Sequence, residues 1–254
     1  GRDILCKHLT AWMITATYIL EPSAGLALKG FVNQHEVYFD SNIILRALAN
    51  GLPTHDESRY LLERTDKLGM RIRITPGLFR EVRDHISRAI ELFQAFDKSP
   101  QGFLAELKND ILKHGGPEHT NLLLGGLFAN RERGFSISWE RYLQTHLGIG
   151  ATTPVDDTQL RWRLKDLFGM VVDNTTLPPA MTKQVPRLAR AISDMHARFQ
   201  PDSEAPRGPH DVRSMNEAIQ FLTIHRRREL ANRYDTVWFV SRDGFVNRLQ
   251  FAEL

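Results

Sequence analysis

Four acidic residues occupy comparable places along this chain. Asp40 ends the apolar run Glu36-Val37-Tyr38-Phe39 and is followed by Ser41-Asn42 and an apolar helical pattern. Asp243 follows Thr236-Val237-Trp238-Phe239-Val240 in the same way. Glu81 falls in the second turn of a helix expected after Arg71-Ile72-Arg73-Ile74-Thr75, and Asp211 opens a helix after a connector. Open α/β sheets gather ligands at the C-terminal ends of their strands, and right-handed crossovers bring those ends to one edge. Carboxylates crowded there raise one another's pKa values. A hard divalent cation, Mg²⁺ or Mn²⁺, is their natural compensation. Such an ion makes a bound water nucleophilic and neutralises charge on a phosphodiester. Each acid alone has a plainer role: Asp40 and Asp211 as helix caps, Asp243 as part of a turn with Gly244. The chemical case rests on their arriving together.

Neighbouring polar residues compete for or extend this set. Asp84 and His85 share a helical face with Glu81, and Asp84 is its competitor. Glu217 is a possible fifth acid, whereas Asn216 lies far round its helix from Asp211. His85 and His210 read as structural or substrate-facing, since nothing in the sequence pairs either with a nucleophile.

The elements that must position these groups are legible in outline. Residues 1–20 have a helical pattern with Ile4, Leu5, Leu9, Trp12, Met13 and Ala16 near one face. Val37-Tyr38-Phe39 is the first strand, followed by a helix from about Asn42 to Ala49 that Asn50-Gly51-Leu52-Pro53 stops. Residues 55–68 form another helix. Arg71 to Thr75 alternates as a strand, and Thr75-Pro76 starts a helix that runs to about Phe96. From about Asp97 to Pro209 the pattern is helical, at 103–113, 118–130, 138–147, 157–170 and 183–199, with Val171-Val172 the only pair suggesting a strand. A helix from His210-Asp211 to about Asn232 and the strand Thr236–Val240 complete the order. Strands alternating with helices imply parallel β-α units. The expected organisation is a helical N-terminal extension (1–34), an α/β core (35–96 and 209–254) and a helical insertion subdomain (97–208).

Composition narrows the class. The 254 residues are 42% hydrophobic and 25% charged, as in ordinary globular proteins. The formal charge of +3 and a pI near 9.1 are compatible with a polyanionic partner without demanding one. A single cysteine, Cys6, excludes an internal disulfide framework and a cysteine-rich zinc site, and suits a cytoplasmic location. No apolar run is long enough to span a membrane. The chain begins at Gly1 and ends abruptly at Leu254, so missing flanking domains of a longer chain are expected; its oligomeric state is open.

Phe39-Asp40-Ser41-Asn42, a helical Glu81, His210-Asp211 at a helix start and Val240-Ser241-Arg242-Asp243-Gly244-Phe245 together resemble, in order, the successive motifs of PIN-domain ribonucleases. The resemblance covers about residues 35–96 and 209–250. It implies a three-layer α/β/α fold around a central parallel sheet and endoribonuclease activity, the hydrolysis of RNA with Mg²⁺ or Mn²⁺. It also implies that Asp40, Glu81, Asp211 and Asp243 are the metal-binding catalytic acids, that Asn42 supports the first of them, and that Ser41 belongs to the same motif. The long insertion, the N-terminal extension and the early end after Asp243 depart from a minimal member. Two alternatives stand beside a ribonuclease: a catalytically silent scaffold that binds RNA or protein, and a nuclease directed at DNA.

Basic helical residues supply candidate substrate contacts: Arg161, Arg163 and Lys165, Arg187 and Arg190, and Arg226, Arg227 and Arg228. Their alternative is a solvated helix surface. Trp139, Tyr142, Trp162 and Phe168 can stack bases, although the expected role of such aromatics is in the core.

Overall fold

The computed structural model describes residues 32–99, 101–151, 154–199, 212–232 and 236–241, without the side chains of 195–199 and 213. Its centre is β1 (Glu36–Phe39), a strand whose four residues are all buried. Val37 and Phe39 point into one face of the sheet, where they join the main hydrophobic core. Glu36 and Tyr38 point into the other, as the two-residue period of a strand requires. Next to β1 lies β2 (Arg71–Ile74), with Val37 opposite Ile72 and Tyr38 opposite Arg73. The alternation read in its sequence places Ile72 and Ile74 in the main core and both arginines on the opposite face.

The polypeptide between β1 and β2 forms α1 (Ser41–Leu48) and α2 (His55–Lys67). After β2 come α3 (Pro76–Asp97), α4 (Phe103–His114), α5 (Leu122–Glu132), α6 (Trp139–His146) and α7 (Asp157–Phe168). Thr75 caps α3 by accepting the Leu78 N–H, and Pro76 fills its first position. Then β3 (Val171–Val172) pairs parallel with β2. The chain continues through α8 (Pro179–Thr182), α9 (Val185–Phe199) and α10 (Val212–Ala231) to β4 (Val237–Val240), parallel to β1. The sheet order is β3-β2-β1-β4, all parallel. Among the described residues this is an α/β fold of three layers. Helices α1 to α7 share one core with the Val37 face, and α9 and α10 form a second cluster with Phe239 against the Tyr38 face.

Two features differ from the sequence expectation. The stretch expected to be a helical insertion contributes β3, because Val171 and Val172 extend the sheet beside β2. Its helices α4 to α7 also share the core of α1 to α3 instead of burying a separate one. Two residues were too short a run to outweigh the helical period around them. The N-terminal helix expected over residues 1–20 lies outside the described residues. Trp139, Tyr142 and Phe168 are fully buried, while Trp162 is 61% exposed.

Close backbone contact binds the helical layer to α1. Gly126 of α5 lies against the turn after α1, where an added Cβ would sit 2.5 Å from the Asn50 carbonyl oxygen and 2.6 Å from the Tyr142 hydroxyl. That hydroxyl and the Asn130 amide both donate to the same Asn50 oxygen.

His85 makes a second tie, between α3 and the start of α5. Its Nε2 accepts the Leu122 N–H at 3.2 Å, and its backbone oxygen accepts from the Asn121 amide. Burial, with a smaller contribution from the Arg88 charge, pushes the imidazole down to about 4. A pKa below the unfolded value of about 6.5 means that the unfolded chain binds the extra proton first. The stabilisation from neutral His85 is therefore complete above about pH 6.5 and declines as pH falls towards 4, by at most ~3 kcal/mol. His146 is depressed to about 4 in the same way, chiefly by burial. Urea titrations at pH 7 and pH 5 should show lower stability at pH 5, with a smaller difference in His85→Gln. An equal difference in the variant would assign the acid sensitivity elsewhere.

Candidate functional site

The register of the sheet sets the site. With Phe39 opposite Val240 and Ile74 opposite Val172, the residues that follow the four strands form one row: Asp173, Thr75, Asp40 and Ser241. The chain moves outward from β1 to β2 to β3, then crosses back to place β4 on the free side of β1. Such a reversal opens a crevice between the two strands where the winding changes direction, here β1 and β4. Asp40 ends the first and Ser241 the second.

Asp40 sits at the N-cap position of α1 with extended backbone angles, yet its carboxylate makes no capping hydrogen bond. By contrast, Asp156 caps α7 by accepting the Gln159 N–H at 2.8 Å. The Asp40 carboxylate instead accepts the Ser241 hydroxyl at Oδ2, 2.9 Å away, and lies 3.3 Å from the Ser41 hydroxyl at Oδ1. Ser41 also reaches Glu81, its Oγ lying 2.8 Å from Oε1. A chain of contacts thus runs from the end of β4 through Asp40 and Ser41 to Glu81 on the second turn of α3.

Of the two competing acids on α3, Glu81 faces Asp40. Asp84 is largely exposed and accepts from Arg83. Asn42 is turned along its own helix, where its carbonyl accepts from Arg46 at 2.9 Å; the hydroxyls on Asp40 come from Ser41 and Ser241. Asn216 of α10 is buried against the first turn of α3, so close that a Cβ on Gly77 would lie 2.7 Å from its Oδ1. Glu217 is half-buried beside it. Asp211 and Asp243, with His210, lie outside the described residues. Among the described residues, no three His, Cys, Asp or Glu side chains are grouped to hold a metal ion. The donors that do meet, Asp40, Glu81 and Ser41, are all oxygen, the kind a hard cation takes.

The basic candidates divide. Arg163 pairs with Asp166 at 2.8 Å and Arg226 with Glu229 at 3.2 Å. Arg227 is turned onto the sheet, where it grips Asp173 through Nε at 3.0 Å and Nη2 at 2.6 Å. Arg161 is exposed, its guanidinium 4.5 Å from the centre of the Phe79 ring.

Sequence reasoning missed two residues of the row. Ser241 follows β4 as Asp40 follows β1, and the register makes it the partner of Asp40. Asp173 follows Val171-Val172 just as Asp40 follows Phe39, and that repetition was the available signal. It differs from Asp40 in its surroundings. Burial alone would push its carboxyl up, but hydrogen bonds from Arg227, Tyr38 and Thr175 outweigh burial and hold it well below the usual carboxylate range. Tyr38 donates to its Oδ2 and Thr175 to its Oδ1. Asp173 is the centre of an internal ionic lattice, whereas Asp40 faces the crevice.

No family model, curated protein or solved structure matches this chain.

Proposed function

We propose that the chain is a divalent-metal-dependent nuclease acting on RNA, an endoribonuclease of the PIN type. The observation that carries this is the Asp40 carboxylate. It occupies a capping position without capping, meets Ser241 and Ser41, and is linked through Ser41 to Glu81 where the sheet reverses its winding. A structural cap has no need of that arrangement. The parallel order β3-β2-β1-β4 and the helices on both faces fit the three-layer fold that the motifs imply. The helix that follows Asp211 packs Asn216 on the first turn of the helix that carries Glu81.

Asp40 and Glu81 would hold Mg²⁺ or Mn²⁺ with Asp211 and Asp243, the two acids taken from the motifs. A bound ion of that kind supplies a nucleophilic water and neutralises charge on the phosphodiester. The chain's own hydroxyls do the positioning: Ser241 fixes one oxygen of Asp40, and Ser41 holds Glu81 next to the other. Side chains fixed this way lose little freedom when a ligand arrives.

The test is cleavage of an internally labelled single-stranded RNA with Mn²⁺, with Mg²⁺ and with EDTA, against DNA of the same sequence. Metal-dependent internal cleavage of RNA is expected, with DNA cut more slowly. Preferential cleavage of DNA would change the substrate class. Absence of cleavage under every condition would leave the scaffold alternative, in which the Ser241–Asp40 hydrogen bond serves to tie the end of β4 to the end of β1.

A further inference from the structure

Beside this crevice the molecule exposes a second surface with a different chemistry. On α7, Arg161, Trp162 and Lys165 are all exposed, and three- and four-residue spacings put them on one side of the helix. They line an open cavity of about 280 Å³ together with Ile74, Met170, Val171 and Asn174. A tryptophan 61% exposed beside Val171 at 47% is an uncovered apolar surface at the β3 margin of the sheet. Nearby acids are engaged: Asp157 by Arg83, Asp166 by Arg163 and Asp173 by Arg227. No ion pair engages Arg161 or Lys165 among the described residues. The surface is therefore open, aromatic and positively charged.

It is also connected to the crevice. Asn174 follows Asp173 in the row that contains Asp40, and β3 is two strands from β1, roughly 10 Å.

We propose that Trp162 is a stacking platform for one base of a single-stranded RNA, with Arg161 and Lys165 on the flanking phosphates, so that the strand enters the acidic crevice from the β3 side. This rests on the proposed function for its substrate class and adds the place and manner of strand binding. Stacking on an aromatic side chain tolerates any base, and cationic contacts to phosphate make affinity fall as salt rises. A peptide strand added to β3 is the competing occupant, and it has no need of the tryptophan or of the two cations.

The test is fluorescence anisotropy of a labelled single-stranded oligouridylate in EDTA, where cleavage cannot interfere. Trp162→Ala should weaken binding roughly tenfold or more, and Trp162→Phe should retain most of the affinity. Arg161→Gln and Lys165→Gln should each lower the salt slope by about 0.7. Wild-type affinity in Trp162→Ala with an unchanged melting temperature would overturn the proposal, as would tight binding of an extended peptide with none of the oligonucleotide. RNA binding that depends on Trp162 in a protein that never cleaves would support the platform and reject the nuclease. Cleavage with no loss in Trp162→Ala would do the reverse.

Discussion

Replacing Asp40 by asparagine should reduce Mn²⁺-dependent RNA cleavage by at least ~100-fold, since several kcal/mol of transition-state stabilisation would be lost. The fold should not notice the change. Asparagine matches aspartate in size, is equally accepted at a helix N-cap, and keeps one oxygen to accept a serine hydroxyl. The Asp40 carboxylate contributes no capping hydrogen bond that the substitution could remove. Thermal unfolding should therefore move by no more than about 1 kcal/mol, the net worth of one hydrogen bond. Separating the two readouts matters, because a fall in activity with equal loss of stability would describe damage to α1 and not chemistry. Full activity in Asp40→Asn, in a preparation free of contaminating nuclease, would remove Asp40 from the reaction.

The opposite pattern is expected at Asp173. Truncation to alanine should cost about 3 kcal/mol of stability, the lower end of the range for breaking a buried ion pair. Asp173 itself is 1% exposed and Arg227 26%, so water partly relieves the cation left behind. Arg73 and Arg71 remain on Glu36, at 3.0 and 3.4 Å, which limits the damage to one half of the lattice. The cost is mainly that of guanidinium and phenol groups losing their acceptor in a buried place, and so the double variant Asp173→Ala/Arg227→Met should be less destabilised than the two single changes added together. Strict additivity in chemical denaturation would show that the two side chains do not depend on each other. The pH dependence separates this lattice from His85. The Asp173 pKa is depressed, so its contribution is present above the unfolded value of about 3.9 and fades only in stronger acid. The decline expected between pH 6.5 and 4 belongs to the histidines.

Much of the scaffold is legible in the amino-acid sequence. The order of strands and helices followed from local pattern, because Val37-Tyr38-Phe39 is the apolar run of a strand buried on both faces, and Ile72 and Ile74 alternate with arginines with the period of a strand. The long helix with Glu81 followed from Thr75-Pro76, a start signal with a mechanism in the backbone. Local pattern also put Asp40 immediately after β1. β3 was harder: two residues carry too little periodic signal, and their pairing with β2 is a contact across almost a hundred positions.

What the sequence could not decide was which polar groups meet. Glu81 and Asp84 are three residues apart, and only the packing of α3 on α1 turns the former to Ser41 and leaves the latter to Arg83. Asp40 and Asp173 have similar local contexts, an apolar strand followed by an acid, yet β1, α10 and the loop after β3 give Asp173 three cationic or hydroxyl partners, Tyr38, Arg227 and Thr175. Trp162 and Trp139 lie on similar amphipathic helices, and one is exposed while the other is fully buried. Sequence determined the elements because periodicity and capping act within a few residues. Tertiary structure alone decided the site, because register and helix orientation are properties of the whole sheet.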